Sequence, residues 1–198
     1  MLTMKCLQSP VDRESCNYMH CLGLNYKNHA KGGGFPLPQV PILFTKSRSA
    51  LIAYPATVNI PKCAQDETSD YESELCLVTC KTGRDISEQG ALDHVLGYTV
   101  SDYISARTLQ IITNQWSYSK GLDSSCPLGP VLVASSVIRD PQTLAIKGFY
   151  NGQNVQDGHI YQEADLMLIA KNDLRSRNDL FDRNTSWNRT LSKFESSA

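Results

Sequence analysis

Glu72 and Glu74, in the stretch DYESEL at residues 70–75, have the type and spacing that most directly suggest chemistry in this chain. Side chains alternate along an extended strand, so acids two apart share one face, at a separation that suits a common divalent cation. Without a cation they would repel each other. A solvated strand face with acidic outward positions has the same local pattern, and these residues alone leave both readings open.

Such a site needs a folded domain to hold it. The chain has 198 residues, 41% hydrophobic and 20% charged, enough for one globular domain with a sizeable core. Its 19 basic and 20 acidic residues leave a net charge of -1 with no basic stripe. Neither nucleic acid nor an anionic membrane is therefore an expected partner, and a small molecule is. The opening MLTMKCLQSPVDRES has no apolar h-region, and no run of eighteen apolar residues occurs, so a cytoplasmic location is expected. Seven cysteines, an odd number, at 6, 16, 21, 63, 76, 80 and 126, read as reduced and mostly buried thiols. Cys76 and Cys80 lie in the apolar ELCLVTC with no second ligand pair nearby, so core packing is expected of them rather than zinc.

The elements that must position the acids follow from local pattern. CNYMHCLGLNY reads as a buried strand entering a glycine turn, HAKGGGFPLPQVP as a loop, and PILFTK and SELCLVTC as strands. DISEQGALDHVLGY, with Ser87 as N-cap and an apolar stripe of Ala91, Leu92, Val95 and Leu96, predicts a helix ending at Gly97. YTVSDYIS and PLGPVLVASSVI are strand-like, and TLAIKGFYNGQNVQ predicts a hairpin turning at Asn151-Gly152. From about Asp157 the pattern deteriorates, and 161–198 reads as a divergent polar tail, a frayed helix or disorder.

The ordered set GLNYKNHA, PILFTK, DYESEL, ALDHVLGYTVSDYISAR, KGLDSSCPLGP and NGQNVQ closely resembles the fumarylacetoacetate hydrolase family, in particular its short fungal and bacterial members akin to acylpyruvate hydrolases and oxaloacetate decarboxylases. The resemblance implies an α+β, mainly β fold: a β-roll of mixed sheets over residues 1–160, incomplete at the C-terminus. It implies a metal-dependent hydrolase or lyase that cleaves C–C bonds, decarboxylates or tautomerises a small 2-oxo acid or β-dicarbonyl compound, in a catabolic or fungal secondary-metabolite pathway. A homodimer and a divalent cation, Mg2+ or Mn2+, are implied with it. Glu72 and Glu74 match the family's metal-binding Glu-x-Glu, His29 its catalytic base, Lys120 a lysine facing the substrate, and Gln110 a substrate-binding position. Arg107 and Tyr118 lie in the segment that shapes the pocket. A hard cation chelated by two substrate oxygens would stabilise the enolate left when a bond beside a ketone breaks.

Three departures from the family pattern carry expectations of their own. Tyr103 stands where the family places a third metal-binding aspartate, and Asp102, one position earlier, belongs to the opposite strand face unless a bulge re-aims it. A phenol is a poor ligand for magnesium at neutral pH, so weak metal binding is expected. Gly32 stands where a glutamate would orient His29, and the tail lacks the family's closing glycine loop. A catalytically degenerate binding protein or a truncated gene product is the alternative to a working enzyme.

Overall fold

The computed structural model describes residues 9–26, 34, 36, 38–53, 56–83, 86–87, 89–160 and 188–190. The strands in chain order are β1 (Tyr18–Gly23), β2 (Ile42–Ser47), β3 (Leu51–Ala53), β4 (Ser69–Thr79) and β5 (Val95–Ala106). Two short helices follow, α1 (Arg107–Ile112) and α2 (Ser117–Lys120). After them come β6 (Cys126–Leu128), β7 (Val133–Ala134), β8 (Ala145–Tyr150), β9 (Gln153–His159) and β10 (Asn188–Thr190). The expected mainly β fold with mixed sheets is what forms. The large sheet runs β2-β1-β10-β4-β5-β6-β3, with β7 also on β5, and β8 and β9 make a separate hairpin. Pairings are antiparallel except β1 with β10 and β3 with β6. Among the described residues no helix is long and apolar enough to cross a membrane.

The β4–β5 ladder is the spine of the molecule, running from the Ser69–Ala106 pair to Thr79–Val95 with one irregularity, between Val78 and Thr79. Its alternating side chains feed two apolar clusters. Cys76, Val78 and Tyr103 join Met19, Cys21 and Phe44 on one face, while Leu75, Leu77 and Tyr98 join Leu22, Ile146 and Ile160 on the other. The β8–β9 turn is as expected: Asn151 and Gly152 have φ of 49° and 78°, the left-handed pair a type I′ hairpin requires.

Three expectations are corrected. The helix over DISEQGALDHVLGY does not form among its described residues: Ala91–His94 is a single 3-10 turn and Val95 already begins β5. Ser87 is not its N-cap: Ser87 Oγ accepts from the Gly90 N–H at 3.2 Å in a turn that precedes the 3-10 segment, whose N-cap position is Gly90 with no side-chain cap. The apolar stripe splits, with Val95 buried and Leu96, the residue skipped at the register shift, 47% exposed, because pairing with β4 takes up eleven residues of β5. Next, Cys76 is buried as expected but Cys80 is exposed, since it lies just past the register shift that ends the ladder. The described cysteines are otherwise free thiols, buried at 16, 21 and 126 and exposed at 63. Finally, the polar tail supplies a strand where a frayed helix or disorder was expected: β10 lies between β1 and β4, pairing His20 with Arg189 and Cys76–Val78 with 188–190.

Candidate functional site

Even-numbered residues of β4 turn Asp70, Glu72 and Glu74 to one face, and across the ladder they meet Ser105, Tyr103 and Ser101 of β5. The two glutamates of the DYESEL stretch therefore sit side by side, and both are buried, at 8% and 5% exposure. Two buried carboxylates need compensation.

Glu72 receives it from two cations delivered by the helices that follow β5. Lys120 Nζ lies 2.5 Å from Glu72 Oε2, and Arg107 Nη2 lies 3.1 Å from Oε1. The Ser105 hydroxyl donates to Glu72 Oε2 at 3.1 Å and accepts from Lys120 at 2.6 Å. Arg107 also donates to Asp70 Oδ2 from Nε at 2.9 Å and Nη2 at 2.6 Å, and from Nη1 to Gln110 Oε1 at 2.8 Å. Burial works against the Arg107 charge, but Glu72 and Asp70 outweigh it and hold the guanidinium more firmly protonated. Because the Gln110 oxygen is engaged by Arg107, its amide N–H groups are the part left to donate to a ligand.

Most of these groups face one cavity open to solvent, with about 440 Å³ of empty space when its open mouth is included. Glu72, Glu74, Arg107, Gln110 and Lys120 form its polar side. Phe44 and Trp116 form part of its apolar wall, edge to face with ring centroids 6.0 Å apart. The Trp116 ring lies directly on Gly23, where a Cβ would come within 1.8 Å of it, so only glycine permits this wall. Anion-binding donors, hard oxygen ligands and a water-excluding face are thus combined in one place.

Behind the polar side lies a residue absent from the expectations above. Lys46 is fully buried; its ammonium donates to the Ser125 carbonyl and hydroxyl, each at 3.0 Å, and to the carbonyl of Lys120 itself. Burial lowers its pKa. The signal was present in ILFTK, where Phe44 and Lys46 share the inward parity, but lysine on an inward face reads locally as an exposed strand end. Tyr103 is buried with its ring 4.9 Å from the Lys46 ammonium. Burial raises the pKa of its phenol well above the ordinary value, so it stays neutral. The neighbouring Cys21 thiol is pushed up to about 12, chiefly by burial.

The structure places the expected residues unevenly. Glu72, Glu74, Tyr103, Gln110 and Lys120 converge on the cavity, and Arg107 joins them. Tyr118 does not; it is 56% exposed. Asp102 pairs with Ser73 on the other face, and no bulge interrupts the strand there to turn it inward. Its carboxyl is raised from 3.8 to about 6, chiefly by burial. His29 and Gly32 lie outside the described residues.

The donor chemistry fits a hard divalent cation only in part. Two buried carboxylates on one face are the ligands magnesium or manganese takes, with waters and substrate completing the shell. The third corner is a neutral phenol, and among the described residues no group of three His, Cys, Asp or Glu is placed to enclose a metal.

Residues 18–165 match the family described as fumarylacetoacetate (FAA) hydrolase C-terminal. The chain is 41% identical over 144 residues to the mitochondrial oxaloacetate tautomerase fahd2 of Xenopus laevis, covering 72% of this chain and 44% of that protein. It is 42% identical over 127 residues to caffeoylpyruvate hydrolase of Neonothopanus nambi, covering 63% and 44%. The crystal structure of fumarylpyruvate hydrolase from Pseudomonas aeruginosa in complex with Mn2+ and pyruvate superposes with a TM-score of 0.75 at 28% identity, covering 91% of this chain and 77% of that one. The chain spans about half the length of the curated relatives it matches.

Proposed function

Because the chain belongs to the fumarylacetoacetate hydrolase family, we propose that its cavity takes a small 2-oxo acid or β-dicarbonyl compound and promotes C–C cleavage, decarboxylation or tautomerisation of it. The observation that carries this reading is the buried pair Glu72 and Glu74 facing a cavity with Lys120, Arg107 and Gln110. Named relatives act on compounds of this kind, oxaloacetate and caffeoylpyruvate among them, and one related structure holds Mn2+ with pyruvate. Residues 1–160 are taken as the catalytic unit, working as a homodimer.

Glu72 and Glu74 would hold Mg2+ or Mn2+, weakly, since position 103 offers no carboxylate. When bound, the cation supplies Lewis-acid stabilisation of an enolate. The protein's own groups do the rest. Lys120 exchanges part of its contact with Glu72 for the substrate carboxylate, which keeps both charges paired in a buried site. Gln110, held by Arg107, donates an N–H to a second substrate oxygen. Phe44 and Trp116 exclude water from the carbon skeleton. His29 serves as the base that moves the proton at carbon or activates water.

The buried phenol of Tyr103 favours a second reading, a binding protein of the same ligand class that no longer turns it over. One set of measurements separates the two. Calorimetry with Mn2+ and then pyruvate tests binding, and loss of the oxaloacetate enol absorbance or release of pyruvate from an acylpyruvate tests turnover. Binding with turnover supports the enzyme, and binding alone the second reading. If the protein binds neither Mn2+ nor pyruvate, both readings fail.

A further inference from the structure

Gln156 closes the NGQNVQ motif, yet it lies outside the cavity and none of the chemistry above uses it. It is half-buried in β9, whose other side chains are mostly exposed. Its carboxamide makes two bonds to a single backbone residue. Gln156 Oε1 accepts from the Ser73 N–H at 3.2 Å, and Nε2 donates to the Ser73 carbonyl at 3.3 Å. Ser73 is the residue between Glu72 and Glu74. Among the described residues, pairing of β4 with β10 covers Cys76–Val78, and at Ser73 the side-chain amide takes the place of a neighbouring strand.

The hairpin is fitted to make this contact. Gly148, the register partner of Gln156, lies so close to β4 that a Cβ there would stand 2.8 Å from Ser73 Oγ and 3.2 Å from Gln156 Cβ. Two residues to either side the odd positions of β4 are also engaged. Tyr71 stacks on Tyr150 at 5.3 Å and 17°, and Leu75 shares a buried cluster with Ile146. Tyr71, Ser73 and Leu75 are thus each held from the outer face while the residues between them carry the carboxylates. The Gln156 backbone N–H donates to Asn154 Oδ1 at 3.2 Å, which fixes the strand from which the clamp reaches.

We propose that Gln156 is a positioning residue for the Glu72–Glu74 pair: it fixes the two peptide units flanking Ser73, which join it to the two glutamates and set the orientation of their carboxylates, and so acts across the sheet on cation binding. The inference rests on the reading that these two residues take a divalent cation. Octahedral cations tolerate little displacement of their ligands, and partners that orient a ligand commonly contribute 10–100-fold, on the order of magnitude scale, to affinity. A carboxamide is suited to the task because it offers one acceptor and one donor side by side. Glutamate keeps the shape but at neutral pH accepts only.

The full-length chain is titrated with MnCl2, and amide hydrogen exchange at Ser73 is followed in parallel. In Gln156→Ala, Mn2+ affinity falls about tenfold and Ser73 exchanges faster, while the melting temperature moves by only a few degrees. Gln156→Glu shows a smaller loss, and Val155→Ala, one position along on the exposed side of β9, shows none. Unchanged Mn2+ affinity in Gln156→Ala beside a wild type that binds overturns the inference alone. A wild type that takes up no Mn2+ overturns the metal reading and the inference with it.

Discussion

The two faces of the β4–β5 ribbon are built from alternate residues of the same two strands and treat charge in opposite ways. On the cavity face Asp70, Glu72 and Glu74 are buried or half-buried beside Arg107 and Lys120, and the ionic network leaves room for a ligand. On the hairpin face Tyr71, Ser73 and Leu75 meet Tyr150, Gln156 and Ile146, with one acid, Asp102, whose Oδ1 has no hydrogen-bond partner among the described residues. Asp70 and Glu72 are paired with the cations collected on the cavity face, and Asp102 is penalised by burial on the other. A shift of one residue separates Asp102 from Tyr103, and it decides which acid could ever reach a cation.

Breaking the cavity face should have the largest effect. Glu72→Gln with Glu74→Gln is expected to weaken Mn2+ binding by about 100-fold or more, about 2.7 kcal/mol. Calorimetry reads this directly, and an undiminished affinity would falsify the assignment of these two residues. Next comes Lys120→Met, which leaves Glu72 with Arg107 as its remaining cation among the described residues. It should cost about 3 kcal/mol of stability in a denaturant melt and abolish pyruvate binding. Retained pyruvate affinity would remove Lys120 from the ligand contacts.

Tyr103→Asp sharpens the comparison by placing a carboxylate opposite Glu72 on the cavity face. We expect Mn2+ affinity to rise about tenfold, about 1.4 kcal/mol, together with a loss of stability because a buried ring is removed. The new carboxylate also comes near the Lys46 ammonium, which would divert part of the gain. No tightening at all would mean that the Lys46 contact prevails over the metal.

The smallest effect belongs to the hairpin face. Burial lifts the Asp102 carboxyl from 3.8 to about 6, so between those values the folded protein holds more protons than the unfolded one. Its contribution to stability therefore falls as pH rises from about 4 to 6 and stays lost above that. Asp102→Asn should gain about 1–2 kcal/mol at pH 7, and its melting temperature should converge with that of the wild type below about pH 4. Mn2+ affinity should not change. A stability gap independent of pH would show that ionisation of Asp102 is not its source.

Much of this site was legible in the chain. The parity of Glu72, Glu74 and Tyr103, the exclusion of Asp102 and the Asn151-Gly152 turn all follow from local geometry, and the structure has each where that geometry puts it. Less was legible where a segment had two acceptable local states. Residues 91–97 carry a helical stripe with a cap, and pairing with β4 turned their second half into strand. Arg107 looked like one of several residues near a pocket until its three-way contact with Asp70, Glu72 and Gln110 set it apart.

By itself the sequence determined which side chains could share a face, because the period of two is a property of every extended backbone. Tertiary structure alone decided which faces met. Lys120 is 48 residues from Glu72, Lys46 is 74 from the Lys120 carbonyl it holds, and Gln156 is 83 from Ser73. No local pattern encodes those distances. They are set by which apolar surfaces are buried together, Phe44 against Trp116 on one side and Ile146 against Leu75 on the other, and the polar contacts form in the registers that packing leaves.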